Sequence, residues 1–429
     1  MFIRDVFLTF STQIAALLGN FLVGVILARA LSVPERGIMV LVMTLPVTVA
    51  SFANLGLPQA NIYMIGRRKI DAQTVLGNAL VGVTILGLLV VVGLSFFREL
   101  LQNEVLKGIP HIFWFPLLAL VPFLLMDSVL LSILRARQRF DLFNLRLLAS
   151  PLLMLLGFFT VLVIFRGSLN LAIRVYIGLM AVLVLIGFFL TRRVIPIRPT
   201  FRRQLTQDSV RFGLKSYLQN LFGALNYRLD VYLLAFFLAP AQVAFYGVAT
   251  SLAEIAWYVP DSVGMVLYPR LSQSEEQDID QITARVCRTT IAITAMIVLG
   301  LFATGWFIVP LIYGQAYAAV IPPLLALLPG IIVMALYKVL TRSFTSRDRQ
   351  EISIFAASVA LLFNIGLNLI LIPRWGVVGA GVSSTVSYSL AGFILLFFFL
   401  RASELSWRDV LFPRGKELLG HLQWAKETL

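Results

Sequence analysis

Windows of about 20 predominantly apolar residues, the length a helix needs to cross a bilayer core, recur along this chain from one end to the other. Eight run through Val6–Ala28, Gly37–Ile65, Thr74–Phe97, Ile112–Leu134, Leu147–Phe165, Leu169–Leu190, Phe212–Ala239 and Val243–Tyr268. Four more follow at Thr289–Leu311, Ile321–Leu340, Ile352–Ile372 and Val377–Leu400. Cores of soluble domains do not account for them. Of the 429 residues, 59% are hydrophobic and 13% charged, whereas soluble domains carry about 25% charged residues. The expected fold class is an all-α polytopic membrane protein with twelve transmembrane helices. Pro46, Pro58, Pro122, Pro151 and Pro260 fall inside windows. They are compatible with spans, because neighbouring helices satisfy the carbonyls that a kink frees.

Basic residues orient the spans. The chain has 35 Lys and Arg against 21 Asp and Glu, a net charge of +14. In a soluble protein that excess suggests nucleic acid. With the N-terminus in the cytoplasm, 25 of the 35 fall in inside segments and 6 outside, the six being Arg29, Arg36, Arg98, Lys107, Arg166 and Arg374. Arg174, Lys215, Arg228 and Lys338 remain within or at the ends of spans. This alternation is the positive-inside pattern. It puts both termini in the cytoplasm and explains the charge with no nucleic-acid partner. Arg4, the apolar run after it and Ala28-Arg29-Ala30 have the outline of a signal peptide. The run exceeds the roughly 7–15 residues of a signal core and contains Gln13 and Asn20, so an uncleaved first helix is expected.

Reactive chemistry has little to work with. The single cysteine, Cys287, excludes a disulfide within the chain, and His111 and His421 stand far apart. No metal-ligand spacing and no glycine-rich phosphate or dinucleotide motif is present, so no metal and no cofactor is expected. Cys287 and His111 are read as chemically ordinary.

The longest basic connection, Thr191–Arg211, divides the chain six spans to six. We expect an N-terminal lobe over 1–191, a basic cytoplasmic linker over 192–211 and a C-terminal lobe over 212–401. A cytoplasmic tail follows over 402–429, in which Leu418, Leu419, Leu422 and Trp424 suggest an amphipathic helix on the inner face. The acidic run Ser274–Asp280 reads as a solvated loop. Two six-helix halves are a plan on which alternating-access transporters are built.

Charge inside the membrane marks candidate sites, since placing one there costs about 2.5–3.5 kcal/mol or more. Span seven contains Asn226-Tyr227-Arg228-Leu229-Asp230, span eight Glu254 and Asp261 on one helical face, and span four Asp127. Counting from the turn at Ala239–Gln242, Arg228 and Glu254 lie roughly 16–18 Å deep, near the midplane. Two readings stay open for them: a structural ion pair, or a cavity in which Arg228 holds an anionic group while an acid titrates. Arginine suits phosphate because its planar fork binds bidentately and stays charged. Arg174, Lys215 and Lys338 either join that cavity or snorkel to headgroups. Asp127 has no partner evident in the sequence, and Asp230 points away from Arg228.

The stretch Asn226–Ser272, NYRLDVYLLAFFLAPAQVAFYGVATSLAEIAWYVPDSVGMVLYPRLS, resembles polysaccharide flippases of the multidrug/oligosaccharidyl-lipid/polysaccharide exporter superfamily. So do Asn54-Leu55-Gly56-Leu57-Pro58, Tyr313-Gly314-Gln315-Ala316-Tyr317, and Asn364…Asn368…Ile372-Pro373-Arg374-Trp375-Gly376 with Gly379-Ala380-Gly381. The resemblance implies two six-helix lobes around a V-shaped central cavity. It implies movement of an undecaprenyl-pyrophosphate-linked oligosaccharide (O-antigen or exopolysaccharide) to the outer leaflet of a bacterial inner membrane, driven by a proton or sodium gradient. Membrane lipids, a polysaccharide polymerase and chain-length machinery are the partners it implies. By the same resemblance Arg228, with Asn226, Tyr227, Arg174, Lys215 and Lys338, would contact substrate, and Glu254, Asp261 and Asp127 would couple the ion. An enzyme is not expected, since the outer loop around Arg98–His111 is too short for a catalytic loop. The alternatives are a cation-coupled multidrug antiporter of the same superfamily, and a lipid II flippase, a branch that carries two further C-terminal helices.

Overall fold

The computed structural model describes residues 2–66, 68–101, 103, 108–271, 276–403 and 405–412, leaving aside the side chains at a few helical positions such as Lys215. Among these residues every regular element is helical. Packing divides the chain into two compact units, one running to Gly247 and including Ile312–Tyr317, the other formed by Val248–Leu311 and residues from Ala318 onward.

The first unit holds α1 (Phe2–Ala30), α2 (Val33–Ala53), α3 (Leu57–Gly66), α4 (Ala72–Phe96), α5 (Arg98–Leu100) and α6 (Trp114–Ala136). It continues through α7 (Phe140–Phe158), a π-helical turn at Phe159–Ile164, α8 (Leu169–Arg192) and α9 (Arg203–Phe237). The unit boundary falls within α10 (Pro240–Ala253). The core of this unit gathers Leu76, Val83, Val121, Val129 and Ile133 from α4 and α6 with Leu57 and Leu205. Helix α6 is the innermost, while α4 and α7 leave Leu88, Leu89 and Leu156 exposed. In an aqueous protein those leucines would be an aggregation patch; on apolar helices of this length they form a lipid-facing surface. Small residues set the helix spacing, as in membrane bundles generally. An added Cβ at Gly19 would lie 2.7 Å from Pro151, and one at Gly87 2.7 Å from Pro122.

The second unit contains a 3-10 turn at Glu254–Trp257, α11 (Tyr258–Leu271) and α12 (Glu276–Tyr313), whose last two residues belong to the first unit. After the 3-10 segment Gln315–Val320 come α13 (Ile321–Ser346), α14 (Gln350–Ala402) and α15 (Trp407–Leu411). Helix α13 is buried along most of its length against α14, where Gly330 leaves room for Thr385 and Gly392 for Val333. Helix α14 is two arms joined at Gly376, whose φ of 58° and ψ of −136° lie in a region essentially closed to residues with a Cβ.

Nine segments among the described residues are long and apolar enough to cross a membrane, and the longest is this bent α14. The windows Phe212–Ala239 and Val243–Tyr268 are helical but are not among the nine. The second of them is interrupted by the 3-10 turn at Glu254. The expected single span Gly37–Ile65 is likewise broken. Asn54 closes a turn by accepting from Gly56 N (2.8 Å), and Leu55 and Gly56 both take positive φ.

One further expectation is corrected, the loop over the acidic run, and two segments gain detail, the linker and the tail. Helix α9 starts at Arg203, inside the expected linker, and the residues before it dock on α4 through Arg202 N donating to Asn78 Oδ1 (2.7 Å). Glu276–Asp280 is the first turn of α12, not a loop, and Asp280 pairs with Arg347; residues 274 and 275 lie outside the described residues. The tail opens with α15, capped by Ser406 and Asp409, and Arg288 donates to the Asp409 carbonyl. Its positions Leu418, Leu419, Leu422 and Trp424 lie outside the described residues.

Candidate functional site

Within the first unit, the polar stretch of α9 sorts by helical phase. Asn226 and Asp230, four residues apart, are buried on one face, and Arg228 is exposed between them. Asp230 is fully engaged: Tyr246 donates its hydroxyl to one carboxylate oxygen and Val231 N to the other (2.9 Å). Tyr227 is half-buried. Arg228 acts electrostatically on the Tyr232 hydroxyl one turn away. The start of α9 is fixed on α2 and α3: Phe212 stacks on Tyr63 with ring centroids 3.9 Å apart, and Tyr217 donates to the Phe52 carbonyl. Arg228 is thus an exposed basic residue on a helix anchored at a distance from it. The Lys215 side chain lies outside the described residues, and Arg174 is exposed on α8.

Asp127 has a partner after all. Arg146 of α7 donates Nη2 to its Oδ2 (2.8 Å) and Nε to its Oδ1 (3.2 Å), and both residues are buried. Arg146 lies just before the expected span Leu147–Phe165, and the helix carries it into the protein. Gly187 of α8 makes the space, since a Cβ there would lie 2.7 Å from Asp127 Oδ1. A bidentate buried pair of this kind ties α6 to α7.

The second unit brings three candidates together. The 3-10 turn sets Glu254 about two turns before Asp261, which lies in the first turn of α11. Lys338 of α13 places Nζ 2.6 Å from Asp261 Oδ2 and 4.7 Å from the Trp257 ring centre. Trp257 is itself braced edge-on by Tyr388 at 5.7 Å. One turn along α13, Arg342 lies against Gly264, where a Cβ would come within 3.1 Å of its Nε. The cluster therefore holds two carboxylates and two cations. An anion binding here must compete with Asp261 for Lys338, and a cation binding at Asp261 must displace Lys338. Among the described residues, no three His, Cys, Asp or Glu side chains converge as metal ligands.

Two of these groupings were beyond sequence reading. The Asp127–Arg146 pair spans consecutive helices with no fixed spacing, and the Asp261–Lys338 pair joins residues 77 apart in the chain. Tyr246, which holds Asp230, gave no signal.

The fold is shared with solved membrane proteins of low sequence identity. It superposes on the lipid II flippase MurJ in an inward closed conformation with a TM-score of 0.77, at 17% identity, over 94% of this chain and 90% of that one. A Vibrio cholerae MATE transporter matches with a TM-score of 0.65 and 14% identity, over 95% and 97% of the two chains. A curated relative, the probable low-salt glycan biosynthesis flippase Agl15 of Haloferax volcanii, is 21% identical over 45% of this chain and 41% of its own length. An uncharacterized membrane protein of Methanocaldococcus jannaschii is 23% identical over 53% of this chain and 47% of its own. The matched stretch thus spans less than half of either relative. The model of the family described as polysaccharide biosynthesis protein matches residues 26–322. The chain belongs to that family, and its long apolar helices make it a multi-pass membrane protein.

Proposed function

We propose that the chain is a flippase that carries the headgroup of an undecaprenyl-pyrophosphate-linked oligosaccharide from the inner to the outer leaflet, by alternating access and at the expense of a proton or sodium gradient. In this reading twelve helices form two six-helix lobes over 1–191 and 212–401, with the linker 192–211 and both termini in the cytoplasm of a bacterial inner membrane. The observation that carries it is Arg228, an exposed basic residue two positions from the buried Asp230 in the polar stretch of α9. Such a cation is suited to a pyrophosphate or acidic sugar, and the family match and the flippase among the relatives point the same way. Lys338 adds a second cation, released to substrate when Asp261 takes up a coupling ion.

A cation-coupled drug antiporter is the second reading, favoured by the acids Glu254 and Asp261 in one segment. Deletion of the gene in its native host, complemented with wild type, Arg228→Ala or Arg228→Lys, separates the two. The flippase reading expects loss of surface polysaccharide, with lipid-linked repeat units accumulating on the cytoplasmic side. Wild type restores the surface glycan, and a normally expressed Arg228→Ala does not. Normal surface glycan in the deletion strain, with altered sensitivity to cationic drugs, would put the antiporter first.

A further inference from the structure

Three arginines among the described residues are less than a tenth exposed: Arg288 at 5%, Arg146 at 6% and Arg36 at 8%. Arg146 has Asp127, and Arg288 donates to the Asp409 carbonyl. Arg36 has neither kind of partner. Among the described residues its Nε is sealed from solvent and meets no acceptor. The acid next to it in sequence, Glu35, is engaged in capping α2, where Ser32 N and Oγ donate to its Oε2 at 2.9 and 2.7 Å.

Among the described residues, the groups that act electrostatically on Arg36 are the phenols of Tyr313 and Tyr317. Tyr313 ends α12, Gly314 reverses the chain with a φ of +102°, and Tyr317 follows on the next turn. Tyr317 is 2% exposed and its hydroxyl has no partner. Both rings are fixed: Phe21 meets Tyr313 edge-on at 6.3 Å, and Phe245 meets Tyr317 edge-on at 6.1 Å. Arg29 ties the same segment down by donating Nε to the Ile312 carbonyl (2.7 Å).

A guanidinium stays charged when buried, and buried charges are normally paired or bound to an ion. This site offers a forked cation and phenolic O–H donors with no acidic acceptor, which fits a ligand rich in acceptors and negatively charged. We propose that Arg36, Tyr313 and Tyr317 form a phosphate-binding site at the end of α2 that the basic-residue pattern assigns to the outer face. Its ligand is a phosphate or pyrophosphate ester, presented either by a bilayer phospholipid or by a polyprenyl carrier. The site lies on a different helix from Arg228 and does not depend on a glycan being moved.

The test is thermal unfolding of the full-length protein in uncharged detergent, at matched ionic strength. One arm adds inorganic pyrophosphate and the other dopes the micelles with phosphatidylglycerol. At least one probe raises the wild-type midpoint by several degrees. Arg36→Gln abolishes the rise, Tyr317→Phe cuts it by at least half, and Arg36→Lys keeps a reduced rise. Without probe, Arg36→Gln melts no lower than wild type, because it removes an unpaired buried charge. A rise with pyrophosphate alone assigns the site to carrier headgroups, one with phosphatidylglycerol alone to bilayer lipid, and one with both to the shared phosphate. No rise with either probe overturns the site, as does a rise that survives Arg36→Gln at more than half its size. If Arg36→Gln does not fold, Tyr317→Phe decides, and an undiminished rise in that variant overturns the proposal. A chain that binds the probes and moves no glycan overturns only the flippase reading.

Discussion

The Asp127–Arg146 pair shows how a charge can sit in this protein without being a transport site. Both side chains are buried and doubly bonded, so removing one strands the other. Asp127→Ala is expected to destabilise the protein by about 3–5 kcal/mol, the cost of breaking a buried pair from one side. Replacing both members, Asp127→Leu with Arg146→Met, recovers most of that loss. Denaturant unfolding in detergent micelles measures both; equal damage from the single and the double replacement would contradict the assignment. The sequence made Asp127 visible as a lone acid in an apolar window, but its partner was hidden. Arg36 and Arg146 were hidden for the same reason. Span ends were drawn where charge begins, whereas a helix with a capped first turn, as at Ser32–Glu35, carries charge into its buried part. Arg228 was legible because nothing in its neighbourhood resembles a span end.

At the scale of elements, apolar periodicity placed nearly every helix but not every break within them. The bend at Gly376 falls in the gap between the windows that end at Ile372 and start at Val377, but the turn at Asn54–Gly56 and the 3-10 turn at Glu254–Trp257 fall inside windows whose hydropathy is continuous. Backbone geometry sets these breaks, and hydropathy does not report it. The bend gives a direct test. Gly376→Ala is expected to cost about 1–3 kcal/mol, because its conformation excludes a Cβ. Gly366 lies on the same helix with nothing within 4 Å of where its Cβ would be, so Gly366→Ala is expected to be neutral or to stabilise by about 0.5–1 kcal/mol. Parallel unfolding of the two variants checks the contrast, and a Gly376→Ala protein as stable as wild type would mean that α14 does not need its bend.

For the whole molecule, the decisive sequence signal was the uneven placement of 35 basic residues. It makes a topological prediction independent of any relative. The only cysteine, Cys287, is buried, so single cysteines can be introduced against a quiet background. Arg166→Cys is expected to react with a membrane-impermeant maleimide in intact cells. Lys69→Cys and Arg349→Cys, also exposed, should react only after permeabilisation. The opposite pattern would invert the orientation and with it the direction of transport.

The central claim is transbilayer movement of a lipid-linked glycan, and reconstitution tests it most directly. Purified protein in proteoliposomes, loaded with a polyprenyl-pyrophosphate-linked oligosaccharide and an ion gradient, is followed by access of the glycan to an external lectin or glycosidase. The account predicts gradient-dependent movement by wild type and a loss of at least about tenfold, or 1.4 kcal/mol of barrier, in Arg228→Ala. It also predicts partial recovery in Arg228→Lys. Movement that is equal with and without the protein, or unchanged by Arg228→Ala, would contradict it.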